Sequence, residues 1–150
     1  MERQPDLWRG LDGAWRLARE VRHAAGGTVR AEGTARFAPE GDGLAEREEG
    51  RAVLPGGSGM AFEQRRLWRA EGGRLTLWKG DGTLLCVLDG GEGVHGCPPD
   101  LYRVRLDLSG LPSDWSAEWR VTGPRKDYVM ATRYVRPGGQ DRPTLPLPGR

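Results

Sequence analysis

A chain of 150 residues, with 23 Lys and Arg against 21 Asp and Glu, has room for one hydrophobic core, and its net charge of +2 sets up no long-range field that would gather nucleic acid or an anionic membrane. No stretch approaches the ~18 consecutive apolar residues of a membrane-spanning helix, and "MERQPDLWRG" lacks the apolar centre of a secretory signal. The expectation is a cytoplasmic protein with neither nucleic-acid nor membrane partners, whose two cysteines, Cys86 and Cys97, are free thiols rather than part of a zinc framework.

In chain order, Leu7–Leu11 suits one helical turn, with Asp6 as N-cap and Trp8 as a plug that caps the barrel. Apolar residues then alternate with period two between Gly- and Pro-rich breaks. The candidate strands are Ala14–His23, Thr28–Phe37, Leu44–Leu54, Met60–Ala70, Arg74–Lys79, Thr83–Leu88, His95–Asp107, Asp114–Val121 and Lys126–Val135. Connectors such as "APEGDG", "EGG" and "GDG" have the length of hairpin turns, so successive strands pair antiparallel. About nine strands in such a meander remove their edges best by closing, and the predicted fold is an all-β, up-and-down barrel over residues 1–136. The tail "PGGQDRPTLPLPGR" has no apolar periodicity and is expected to be disordered.

Alternation also sorts side chains by face. Trp115, Ala117, Trp119 and Val121 point inward, as do Val29, Ala31, Gly33, Ala35 and Phe37, a set small enough to leave space. Phe62 and Trp68 share their face with Gln64 and Arg66, and Leu44 shares its face with Glu46 and Glu48, so a guanidinium and a neutralising carboxylate both face the interior. Aromatic bulk turns Tyr128, Met130, Thr132 and Tyr134 inward, with Lys126 snorkelling at the rim. In "VHGCPPDLY", His95 and Cys97 are out of phase with Asp100 and Tyr102, and a bulge at Pro98-Pro99 would bring all four to one face.

"LDGAW" carries the Gly-x-Trp of lipocalins and other calycins. Together with "EGTARF", "EREEG", "HGCPPDLY", "WRVTGPRKDY" and "TRYVR", it makes the chain resemble the uncharacterised calycin-like family known as domain of unknown function 6314, over about Leu7 to Arg136. Glu46 and Leu67 stand where that pattern leads one to expect aromatic residues. The resemblance implies a small closed barrel and no established activity.

His95, Cys97 and Asp100 supply too few convergent ligands for a metal centre, so no metal is expected. Haem on a single His, as in nitrobindin-like barrels, would use His95. Catalysis would draw on His95, Tyr102 and Asp100 as acid and base, for instance in an isomerase or hydrolase of a small conjugated substrate. Packing alone has no need of so many inward polar groups, and that excess favours a pocket for a polar small molecule. The predicted ligand contacts are His95, Tyr102, Arg66, Lys126, Tyr128 and Glu48.

Overall fold

The computed structural model describes residues 4–138; residues 139–150, most of the tail expected to be disordered, lie outside the described residues. Helix α1 (Gln4–Leu11) precedes ten strands: β1 (Gly13–His23), β2 (Thr28–Glu40), β3 (Gly43–Val53), β4 (Gly59–Glu71), β5 (Arg74–Lys79), β6 (Leu84–Asp89), β7 (Glu92–Cys97), β8 (Asp100–Asp107), β9 (Asp114–Thr122) and β10 (Asp127–Val135). Each pairs antiparallel with its predecessor, and β10 returns to β1, closing the barrel.

The count is ten rather than nine because the segment read as one strand, His95–Asp107, is two. Pro98-Pro99 is not a bulge within a strand but the tip of a two-residue hairpin with a cis peptide bond, and Cys97 pairs with Asp100 across it. A hairpin changes the parity of the inward set as a bulge would: His95 lies opposite Tyr102, and Gly93 opposite Val104. The helical turn is also longer than Leu7–Leu11. It begins at Gln4, so Asp6 lies inside the first turn instead of capping it, and forms an ion pair with Arg9.

One end of the barrel is shut by aromatic packing. Phe37, Trp68 and Trp115 meet edge-to-face with centroids 5.4–5.9 Å apart, Trp15 meets Trp115 at 6.3 Å, and Tyr134 stacks on Trp115 at 3.8 Å. Such pairs add about 0.5–1.5 kcal/mol each beyond their buried area. Helix α1 lays Leu7, Trp8 and Leu11 on this cluster. Arg136 seals it from outside, with its guanidinium 3.7 Å from the Trp15 ring centroid and donating to the carbonyls of Gly10, Ala14 and Pro112. Those donors satisfy a carbonyl at the helix end that has no partner within the helix.

The opposite end is open. Gln64 and Met60 lie on the inward face yet are exposed, Met60 by 54%, while Phe62, His95, Tyr102, Tyr128 and Met130 are half-buried. On one side the wall is incomplete: β6 and β7 share only the pairs Leu88–Gly93 and Asp89–Glu92, both toward the closed end. The interior thus has an open end, the mouth of the cup, and a level just above the aromatic base, its floor.

Candidate functional site

The floor is built from four buried charged residues, Arg19, Glu46, Glu48 and Arg66. They project from β1, β3 and β4 at positions sharing the face of Trp15, Leu44 and Trp68. Their long side chains fit because β2, between β1 and β3, offers only Ala31, Gly33 and Ala35 at that level. Glu48 is the hub. Its Oε1 lies 2.7 Å from Arg19 Nη2, and its Oε2 accepts the Tyr134 hydroxyl at 2.5 Å and lies 3.5 Å from Arg66 Nη2. Arg19 Nε donates to Thr132 Oγ1 at 2.7 Å. Toward the mouth, aromatic rings cover both guanidiniums: Phe62 lies 5.6 Å from Arg19 and Trp119 5.9 Å from Arg66, within cation–π range.

The two carboxyl groups have different environments. Burial alone would raise the pKa of Glu48, but Arg66 and Arg19 outweigh it and hold Glu48 well below the usual carboxylate range. Glu46 is pushed up to about 8, first by burial and then, against the pull of Arg66, by the negative charge of Glu48. Burial opposes the charge on Arg66, yet Glu46 and Glu48 together keep it firmly protonated. At neutral pH the floor therefore holds two guanidiniums, one carboxylate and one carboxylic acid, a net charge of one positive unit.

This distribution fixes how stability responds to pH. The unfolded-state pKa of Glu48 lies above its folded value, so its contribution is present above about pH 4.5 and lost as pH falls further. Glu46 is the reverse: its favourable contribution is present below about pH 4.5 and is lost as pH rises through about 8. Between pH 5 and 9 the wild-type melting temperature should therefore fall more steeply than that of Glu46→Gln, which differential scanning calorimetry on the two proteins checks. Parallel curves would place the proton elsewhere.

The rim carries the rest of the expected cluster. Lys126 lies in the turn before β10 rather than in the strand; its Nζ donates to the Tyr102 hydroxyl at 3.1 Å and lies 3.3 Å from Asp100 Oδ2. Those two partners raise its pKa. The His95 ring is tilted against Tyr102 at 6.4 Å, and His23 against Tyr128 at 5.6 Å. Among the described residues, no hydrogen bond holds the His95 imidazole in one tautomer, and no group of three or more metal-ligating side chains converges.

The six expected ligand contacts thus divide between two levels. Arg66 and Glu48 belong to the floor, whereas His95, Tyr102, Lys126 and Tyr128 belong to the mouth, along with Asp100. Sequence reading passed over Arg19, although it shares parity with Trp15 and Leu17 on β1, and gave no special role to Tyr134. Cys86 is buried beside the floor, and burial pushes its thiol up to about 12, which leaves it protonated and unreactive.

A model of a family of unknown function, DUF6314, matches residues 11–136. No curated protein matches the chain. Among solved structures, an S-type phycobiliprotein lyase, CPES, from Guillardia theta is similar at a TM-score of 0.52 and 9% identity, over 91% of this chain and 93% of that one. A de novo designed fluorescence-activating β-barrel is similar at a TM-score of 0.49 and 15% identity, over 87% of this chain and 97% of the design. At these identities the lyase shares the fold, and the ligand is a matter for this chain's own residues.

Proposed function

As a member of the DUF6314 family of unknown function, the chain has no relative's activity to take over, and from the barrel's geometry we propose that it binds a small aromatic acid in the cup, with the anion turned to the floor. The observation that carries this is a buried polar atom without a hydrogen-bond partner, Arg66 Nε. Arg66 Nε lies 3.3 Å from Glu46 Oε1 but lacks the direction of a hydrogen bond. With Glu46 protonated, its carboxyl donates to Glu48 while its Oε1 accepts from Trp68 Nε1 at 2.8 Å, so Arg66 Nε is the donor left over and the floor carries one positive charge. An anionic acceptor that passes the covering rings of Phe62 and Trp119 satisfies Arg66 Nε, and buried polar groups are seldom left unsatisfied.

The remaining residues take supporting roles in this reading. Glu48 holds Arg19 and Arg66 in place. Phe62, Trp119, Tyr128, Tyr102 and His95 provide aromatic walls, the usual lining of a small-molecule pocket with a few converging polar groups. Lys126, tethered to Asp100 and Tyr102, stands at the rim and attracts the incoming anion. The protein acts as a binder, and no helix among the described residues is long and apolar enough to cross a membrane.

Isothermal titration with 2-naphthoate and its neutral amide tests the proposal. At pH 7 the acid should bind about tenfold more tightly than the amide, a difference of about 1.4 kcal/mol. Its affinity should fall as pH rises through about 8, where Glu46 ionises and repels the ligand. The pH dependence should vanish in Glu46→Gln. Equal affinity for acid and amide, or no binding of either, would sink the reading.

A further inference from the structure

The outer wall of the barrel holds a second candidate site, a groove whose lining reaches Glu46 and Arg66 of the floor from the other side. Arg36, Arg47 and Arg65 lie directly opposite one another on β2, β3 and β4, as the pairs Arg36–Arg47 and Arg47–Arg65 show. Strands are about 4.8 Å apart, so the row spans about 10 Å. Like charges directly opposite across strands destabilise a sheet, and a local rule broken in this way marks a functional position more often than a packing one. Acids along the same face neutralise part of the row: Glu63 pairs with Arg47 at 2.7 Å and also attracts Arg65, and Glu49 attracts Arg47.

The row borders a groove of about 740 Å³, within the range of small-molecule sites. Arg69 and Lys79 add two further cations, Glu40 is the acidic side chain on the outer face, and Glu46 and Arg66 line the groove from the barrel interior. Ala38 and Ala45, with their small side chains, leave its base open. One end is flat and aromatic: Trp78 is held by a hydrogen bond from its Nε1 to Thr76 Oγ1 at 2.9 Å, and the Arg69 guanidinium lies 5.8 Å from its ring centroid.

We propose that this groove binds a phosphorylated small molecule with a planar ring, of the nucleotide type, its phosphates along Arg36, Arg47 and Arg65 and its ring on the Arg69–Trp78 pair. Guanidiniums match phosphate oxygens in planar, paired hydrogen bonds, and a row of them suits a chain of phosphates better than a single carboxylate. The indole face supplies stacking that is indifferent to which base is present. A groove of this volume holds a nucleotide, whereas a nucleic-acid strand would need the row to continue beyond it.

Isothermal titration of the full chain with ATP, inorganic triphosphate and adenosine separates the contributions. ATP should bind more tightly than triphosphate, adenosine should bind weakly or not at all, and ATP affinity should fall at least about tenfold in Arg36→Gln/Arg65→Gln and weaken with rising salt. Both arginines are exposed, so that variant should fold, with a melting temperature no lower than wild type because a like-charge contact is removed. Trp78→Ala should erase the advantage of ATP over triphosphate. Undiminished ATP affinity in the double variant, or no ATP binding by wild type, overturns the proposal. Tighter binding of an oligonucleotide than of ATP would replace the small ligand with a nucleic-acid strand.

Discussion

Glu48→Gln is expected to lower the unfolding free energy by about 3–5 kcal/mol, the range for removing one partner of a buried ion pair. Glu48 is fully buried and touches Arg19, Arg66 and Tyr134 together. Without its charge, two guanidiniums face each other across a volume with few other acceptors. For a domain of this size the loss corresponds to a fall in melting temperature of about 10 °C or more. Glu46→Gln is the control, since Glu46 already holds its proton at neutral pH and a neutral amide replaces a neutral acid. Chemical denaturation at pH 7 compares the two variants. Equal losses would mean that the charge is shared between the carboxyl groups and that the floor is not net positive, which would also remove the main support for an anionic ligand.

Gly33→Ala is expected to cost about 3 kcal/mol, the upper end for forcing a methyl group into packed structure. A Cβ at Gly33 would stand 2.1 Å from Glu49 O and 2.8 Å from Gly50 Cα, and one at Gly50 would stand 2.2 Å from Glu32 O. These neighbours are backbone atoms, so no rotamer change relieves the contact. Gly33 and Gly50 face each other where β2 and β3 bend most closely together, a standard place for glycine in a closed barrel. The bend also sets the site, because Ala35 and Glu48 are the next inward pair along the same ladder. Gly96→Ala serves as comparison: a Cβ there meets nothing within 4 Å, so stability should be unchanged or slightly higher. Denaturation midpoints of the two variants decide it, and a loss below about 0.5 kcal/mol at Gly33 would show that the strands can separate at no great cost.

Much of the barrel is legible one strand at a time. Short connectors dictate antiparallel neighbours, and period-two alternation turns Trp15, Phe37, Trp68, Trp115 and Trp119 inward by the burial of their own apolar surface. Parity also turns Arg66, Glu46 and Glu48 inward, because it follows from backbone geometry whatever the side chain. The hairpin at Pro98-Pro99 was harder to read. A two-residue turn and a one-residue bulge both change parity, and only the pairing of Cys97 with Asp100 separates them.

Local pattern says nothing of height along the barrel axis, and for that reason one expected polar cluster became two. His95 and Arg66 share the interior, but strand stagger and closure place one near the mouth and the other on the floor. The partnership of Arg19 with Glu48 joins residues 29 apart in sequence, and that with Thr132 joins residues 113 apart; their meeting depends on β10 returning to β1. The row of Arg36, Arg47 and Arg65 likewise exists only through register across three strands. Strand faces and the presence of buried charge follow from neighbours along the chain, whereas the division of His95–Asp107 into β7 and β8 does not. Which charges meet, which carboxyl group keeps its proton and where the cup opens were decided by closure alone, because Coulomb interaction and desolvation depend on distances that only the folded barrel sets.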